Sequence, residues 1–187
     1  MSKNAVIYAT KYGATERYAR WIAEALDAPL FEASAFDTAK SADYDVVVYG
    51  GGLYAGGIKG IKLVTKNSCK ALVVFTVGLS NPKTANYAAI LRMSFNSKLL
   101  SKIKVFHLRG SIDYAKLKPI DRLLMTLKVY WTKLTPASKR TAEHRGIVAT
   151  YGKKIDFTNE QAITPLVEYV QGLGQMEVNN AKSKHSF

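Results

Sequence analysis

Residues 5–19 read "AVIYATKYGATERYA". The first five are apolar and β-prone, the pattern of a short strand covered on both faces. From Ala14 the pattern changes: Ala19, Ile22, Ala23 and Leu26 recur at i, i+3, i+4 and i+7, one face of a helix over 14–27. Between strand and helix stand Thr10, Lys11, Tyr12, Gly13, Ala14 and Thr15. A helix start offers unpaired N–H groups and a partial positive charge, both suited to an anion. Gly13 lets the backbone come close, Thr10 and Thr15 add hydroxyls, and Lys11 adds charge. The turn lacks the Gly-Lys-Ser/Thr of a nucleoside-triphosphate loop and the G-x-G-x-x-G of a dinucleotide fingerprint. It suits a terminal monophosphate, or threonines that only cap their own helix.

Outward from this turn the alternation repeats. "PLFEA" (29–33), "DVVVYG" (45–50), "ALVVFTV" (71–77) and "KIKVFHLR" (102–109) read as four further strands, with helices near 58–67 and over 84–100. Five strands alternating with helices predict an α/β fold with a doubly wound five-stranded parallel sheet. Such sheets bind ligands beyond the carboxyl ends of their strands. Two more loops therefore matter. "GGGLYAGGI" (50–58) has five glycines in its first eight residues, so backbone can lie against a flat ligand on which Tyr54 can stack. "VGLSNPK" (77–83) is a second small-residue turn.

The 187 residues fit a single domain, expected over 1–173 with a polar, mobile tail at 174–187. No apolar run approaches the roughly 18 residues of a membrane span. Met-Ser-Lys-Asn opens no leader pattern. The lone Cys69 supports no internal disulfide and reads as an inert thiol. These features predict a cytoplasmic protein, with the inner face of the cell membrane as a place it could dock. The net charge is +13, unevenly spread: residues 96–145 hold 12 basic and 3 acidic side chains, and residues 51–95 hold 6 and none. Such a surface attracts anionic lipid or an acidic small molecule. No nucleic-acid motif accompanies it, and no metal cluster is expected.

The run Val6 to Thr15, with Ala19 and Ile22 after it, resembles the flavodoxin signature at every constrained position. The resemblance implies non-covalently bound FMN. Its phosphate would lie on residues 10–15. Its ring would lie between Gly51, Gly52, Leu53, Tyr54, Ala55 and Gly56 on one side and Thr76, Val77, Gly78, Leu79 and Ser80 on the other. An insert over 110–145 breaks the alternation after the fifth strand. "LRGSIDYAKLKPIDRLLMTLKVYWTKL" (108–134) and "KKIDFTNEQAI" (153–163) resemble the flavodoxin-like, menaquinone-dependent protoporphyrinogen oxidases. That resemblance implies a reduced porphyrinogen, or another acidic apolar molecule, as substrate and quinone as acceptor. It departs at Tyr54, where a basic residue is expected. Two other readings stay open: a basic flavodoxin that carries electrons to an acidic partner, and an FMN-dependent quinone reductase.

Within the insert, Pro119 suits a first helical turn. Ile120, Leu123, Leu124, Leu127, Trp131 and Leu134 then share one face. That face either packs on the sheet or, flanked by Arg109, Tyr114, Lys116, Lys118, Arg122 and Lys128, meets substrate or an anionic membrane. No catalytic base is evident. His107 falls mid-strand and reads as structural, while His144 in the insert could approach the site. Thr158 with Gln161 predicts a capping box for a last helix ending at Leu173, with Pro165 kinking or restarting it. Oligomeric state is not encoded in these patterns.

Overall fold

The computed structural model describes residues 3–54, 56–65 and 69–184. In chain order come β1 (Asn4–Ala9), α1 (Ala14–Ala25), β2 (Leu30–Glu32), β3 (Val46–Tyr54), β4 (Gly57–Ile58) and α2 (Lys62–Thr65). Then follow β5 (Ala71–Gly78), α3 (Ala88–Ser94), α4 (Ser97–Leu100) and β6 (Lys104–Arg109). The remainder is β7 (Ser111–Asp113), α5 (Pro119–Leu134), α6 (Ala142–Thr150), β8 (Lys154–Asp156) and α7 (Thr164–Lys184).

Five parallel strands form the sheet in the order β2-β1-β3-β5-β6, as expected of a doubly wound fold. Alternation along each strand divides the core. Val6, Tyr8, Val48 and Phe75 face α1 and α7, where Ile22, Leu166 and Val170 are fully buried. Ala5, Ile7, Val47, Tyr49 and Val74 face the other side, with Phe95 and Val64. Gly50 is required where β3 pairs with β5. It lies opposite Phe75, and a Cβ there would fall 2.1 Å from the ring's Cζ.

Three differences from the sequence reading have physical causes. The span 84–100 is two helices rather than one, because Asn96 interrupts it: its side chain accepts from the Leu99 N–H and starts α4. The last helix is capped one residue later than expected. Thr158 donates its hydroxyl to Asp156, and Asn159 accepts from Gln161 N to start a single 3₁₀ turn. Pro165 then sits in the first turn of α7, where its missing N–H is harmless. α7 continues past Leu173 to Lys184, through a segment without proline.

The extra elements after β6 also reach further than 110–145. β8 returns antiparallel to β7, pairing Ile155 with Ile112, and α6 crosses the expected boundary. Between them a small core forms from Ile112, Tyr114 and Leu117, backed by Leu79, Met125 and Ile155. α5 packs there by an unexpected side. Asp121, Val129 and Thr132 are buried, and Thr132 Oγ1 donates to the Lys128 carbonyl at 2.8 Å. The shared apolar face is turned outward: Ile120 is 57% exposed, Trp131 66% and Leu134 58%. Among the described residues, no helix is long and apolar enough to cross a membrane.

Candidate functional site

A cavity of about 510 Å³ opens at the carboxyl edge of the sheet, where β1, β3 and β5 end. Thr10, Lys11, Tyr12, Ala14 and Thr15 line it from the first loop. Gly52, Leu53, Tyr54 and Gly56 line it from the second, and Val77, Gly78, Leu79 and Ser80 from the third. Gly13 and Gly51 do not. Gly13 turns the chain at φ +90°, and its N–H donates to Thr10 Oγ1 at 3.0 Å. Gly51 is pressed against Ile58, whose Cγ2 a Cβ would meet at 2.3 Å. Thr76 is fully buried behind the cavity, sharing a 2.6 Å hydrogen bond with His107 Nδ1. Ala55 lies outside the described residues.

The threonine hydroxyls leave the start of α1 without a side-chain cap. First-turn N–H groups are therefore left for a ligand, with Thr10 and Thr15 beside them, while the Lys11 ammonium expected there is taken up by Asp121. That donor set fits a phosphate. The volume lies within the usual range for small-molecule sites. Small residues at Gly52 and Gly78, with the Tyr54 ring beside them, suit a flat ring system.

The insert supplies the outer wall. Leu117, Asp121, Leu124, Met125, Lys128 and Ile147 all line the cavity. Of the basic and aromatic residues considered for substrate contact, Lys128 alone does so; the others are placed elsewhere. Arg109 donates from Nε to the Leu79 carbonyl at 3.2 Å and lies 3.5 Å from the centre of the Phe157 ring. Arg122 donates to the Tyr114 carbonyl at 3.1 Å, so it ties the start of α5 to the preceding turn. Tyr114 belongs to the insert's own core, and Lys116 and Lys118 point to solvent.

Neither His107 nor His144 lines the cavity. His107 stacks on Tyr87, ring centres 3.6 Å apart and 8° from parallel, and burial lowers its pKa to about 4. It is a neutral imidazole supporting Tyr87, which does line the cavity. His144 sits in the capping box of α6, its N–H donating to Thr141 Oγ1.

Asp121 is the feature the sequence reading missed. It comes from the insert, yet its carboxylate accepts from Lys11 Nζ at 2.7 Å, from Tyr54 Oη at 2.5 Å and from Tyr12 Oη. The Lys11 ammonium, then the Tyr12 and Tyr54 hydroxyls, hold its pKa down to about 2. The bond to Asp121, and then the Tyr54 hydroxyl, raise that of Lys11. A hint was present in Asp121 lying at the third position after Lys118 in an otherwise basic segment. Its partners, some 67 to 110 residues away, left no local signal.

A doubly wound sheet with a phosphate-ready helix start and a flat cleft between its glycine loops defines a mononucleotide-binding α/β protein. The chain belongs to the flavodoxin family: the Flavodoxin_5 model, described as a flavodoxin domain, matches residues 5–138. FMN is the cofactor of this family. No curated protein matches the chain. Solved structures similar to it include a WrbA-like flavodoxin from Agrobacterium tumefaciens, 24% identical, covering 54% of this chain and 72% of that one at a TM-score of 0.42. Another is oxidised Flavodoxin 1 from Bacillus cereus, 16% identical, covering 79% and 98% at a TM-score of 0.43. A third is a flavoprotein in complex with FMN from Lactobacillus acidophilus, 14% identical, covering 58% and 93% at a TM-score of 0.40.

Proposed function

We propose that the protein is an FMN-dependent oxidoreductase that takes electrons from an acidic, apolar reduced substrate, protoporphyrinogen or a relative, and passes them to quinone. The observation that carries this reading is the insert wall over the flavin cavity. Leu124 and Met125 offer apolar surface there, and Lys128 offers a cation. An apolar macrocycle with carboxylate arms is complementary to that combination. A simple electron carrier has less use for it, since outer-sphere transfer needs an accessible ring edge more than a second binding surface.

FMN supplies the electron and hydride acceptor; the chain supplies binding and electrostatics. Uncapped N–H groups of α1 with Thr10 and Thr15 would hold its phosphate. Tyr54 and the backbone at Gly78 would hold its ring. Among the described cavity residues Asp121 is the sole carboxylate, and its low pKa makes it a weak proton acceptor. The N–H proton released with substrate oxidation is therefore handed to solvent or to the quinone.

The outward apolar face of α5, set among basic residues, adds a peripheral contact with an anionic bilayer, where quinone is dissolved. The test mixes the yellow holoprotein with protoporphyrinogen, without oxygen, with and without a menaquinone analogue. Porphyrin fluorescence that rises only with quinone supports the enzyme. No porphyrin in either mixture, together with one-electron transfer to an added acidic protein acceptor once the flavin has been reduced with dithionite, supports a carrier instead.

A further inference from the structure

Asp121 lines the cavity, but neither phosphate binding nor ring stacking uses it. It joins three segments far apart in sequence. Lys11 and Tyr12 belong to the first cofactor loop, Tyr54 to the second, and Asp121 to the insert helix. The contact is tight as well as shared: Asp121 is 3% exposed, and Lys11 Nζ also lies 3.9 Å from the centre of the Tyr54 ring. The Lys118 N–H, just before α5, donates to Tyr12 Oη at 3.3 Å, a second tie along the same line. A buried carboxylate is tolerated only when its charge and lone pairs are met, and here three donors meet them.

We propose that Asp121 is a positioning residue that clamps the insert to both cofactor loops, cancels the Lys11 charge beside the flavin and holds the Tyr54 ring at its stacking place. This rests on the FMN reading for its second and third parts; the clamp itself does not. Asp121 also stands in the first turn of α5, where any acidic side chain favours the helix. A role limited to that would affect helix stability and leave the flavin's electronics alone. The clamp makes a different demand. Loss of the carboxylate leaves Lys11 uncompensated next to the ring, which favours the anionic reduced flavin and raises its potential.

The test uses full-length D121N, D121E, K11Q and the K11Q/D121N double variant. Amide hydrogen exchange is measured without FMN. Residues 114–134 are expected to exchange roughly tenfold faster or more in D121N than in the unchanged protein, as loss of charge-assisted hydrogen bonds implies, with D121E between them. Redox titration of the FMN-loaded proteins is expected to place D121N at a more positive midpoint and K11Q at a more negative one. D121E should stay near the unchanged protein, and the double variant should return toward it, as for any coupled charge pair. Unchanged exchange over 114–134 in D121N overturns the clamp. A midpoint that does not rise in D121N, or does not fall in K11Q, overturns the electrostatic part. Should D121N not fold, D121E and K11Q decide both. Failure of the unchanged protein to take up FMN sinks the functional reading, while the exchange measurement still judges the clamp.

Discussion

Single side chains at this site act through their partners more than through their type. His107 is the plainest case. Mid-strand placement marked it as structural, and the stack on Tyr87 with the Thr76 hydrogen bond gives that role a form. Its pKa has a consequence for stability. Burial lowers it from an ordinary 6.5 to about 4, so the unfolded chain takes a proton over that interval while the native protein does not. Stability is thus full above pH 6.5 and falls as the pH drops toward 4. Asp121 and Asp156, both held down to about 2, lose their contribution only at lower pH. Urea unfolding between pH 7 and 4.5 should show the loss in the unchanged protein and a flatter dependence in His107→Gln. Equal slopes would mean that another group titrates there. Asp121 shows the limit of a residue-level reading. Its neighbours in sequence mark a helix start, and its partners become visible only in three dimensions.

At the scale of elements, α5 teaches the most. A 3.6-residue period reveals which residues share a face, and it grouped Ile120, Leu123, Leu124, Leu127, Trp131 and Leu134 correctly. It does not reveal which face turns inward. The inner side is the one on which Asp121 finds three donors, while Thr132 is satisfied on either side by the Lys128 carbonyl of its own helix. The long apolar side chains are therefore free to face out. Packing of that face on the sheet, one of the two readings open from the sequence, is excluded. The triple change Leu123→Glu, Leu127→Glu, Trp131→Glu should abolish sedimentation with anionic vesicles and leave thermal stability nearly unchanged, since all three sites are exposed. Val129→Asp, on the packed side, should cost about 3–5 kcal/mol, as an uncompensated buried charge does. Vesicle binding that survives the triple change would move membrane contact to another surface. The short antiparallel pieces were the least legible elements. β4, β7 and β8 have two or three residues each and no room for a period.

At the scale of the whole molecule, the sheet was readable because four of its five strands are six to nine residues long, carry apolar runs and alternate with helices. Charge balance is a second whole-molecule property, and the cavity samples it. Lys11, Lys59 and Lys128 line the site against Asp121 alone among the described residues, an excess of positive charge. Acidic carrier flavodoxins oppose the anionic reduced ring; this site favours it. The two-electron midpoint should therefore lie at a less negative potential than a carrier's, and the difference should shrink as salt screens the lysines. Spectroelectrochemical titration at low and high ionic strength checks both, and a midpoint as low as a carrier's would refute the first.

The outward-facing surface of α5 carries one more implication. Its large side chains contribute little to the folded core, while a few inward residues and one carboxylate secure the helix. Substitution on the outer side is thus nearly free of folding constraint. Under the membrane contact proposed above, Leu123, Leu127, Trp131 and Leu134 can be redesigned without touching the cavity, which Leu124 lines from the same face.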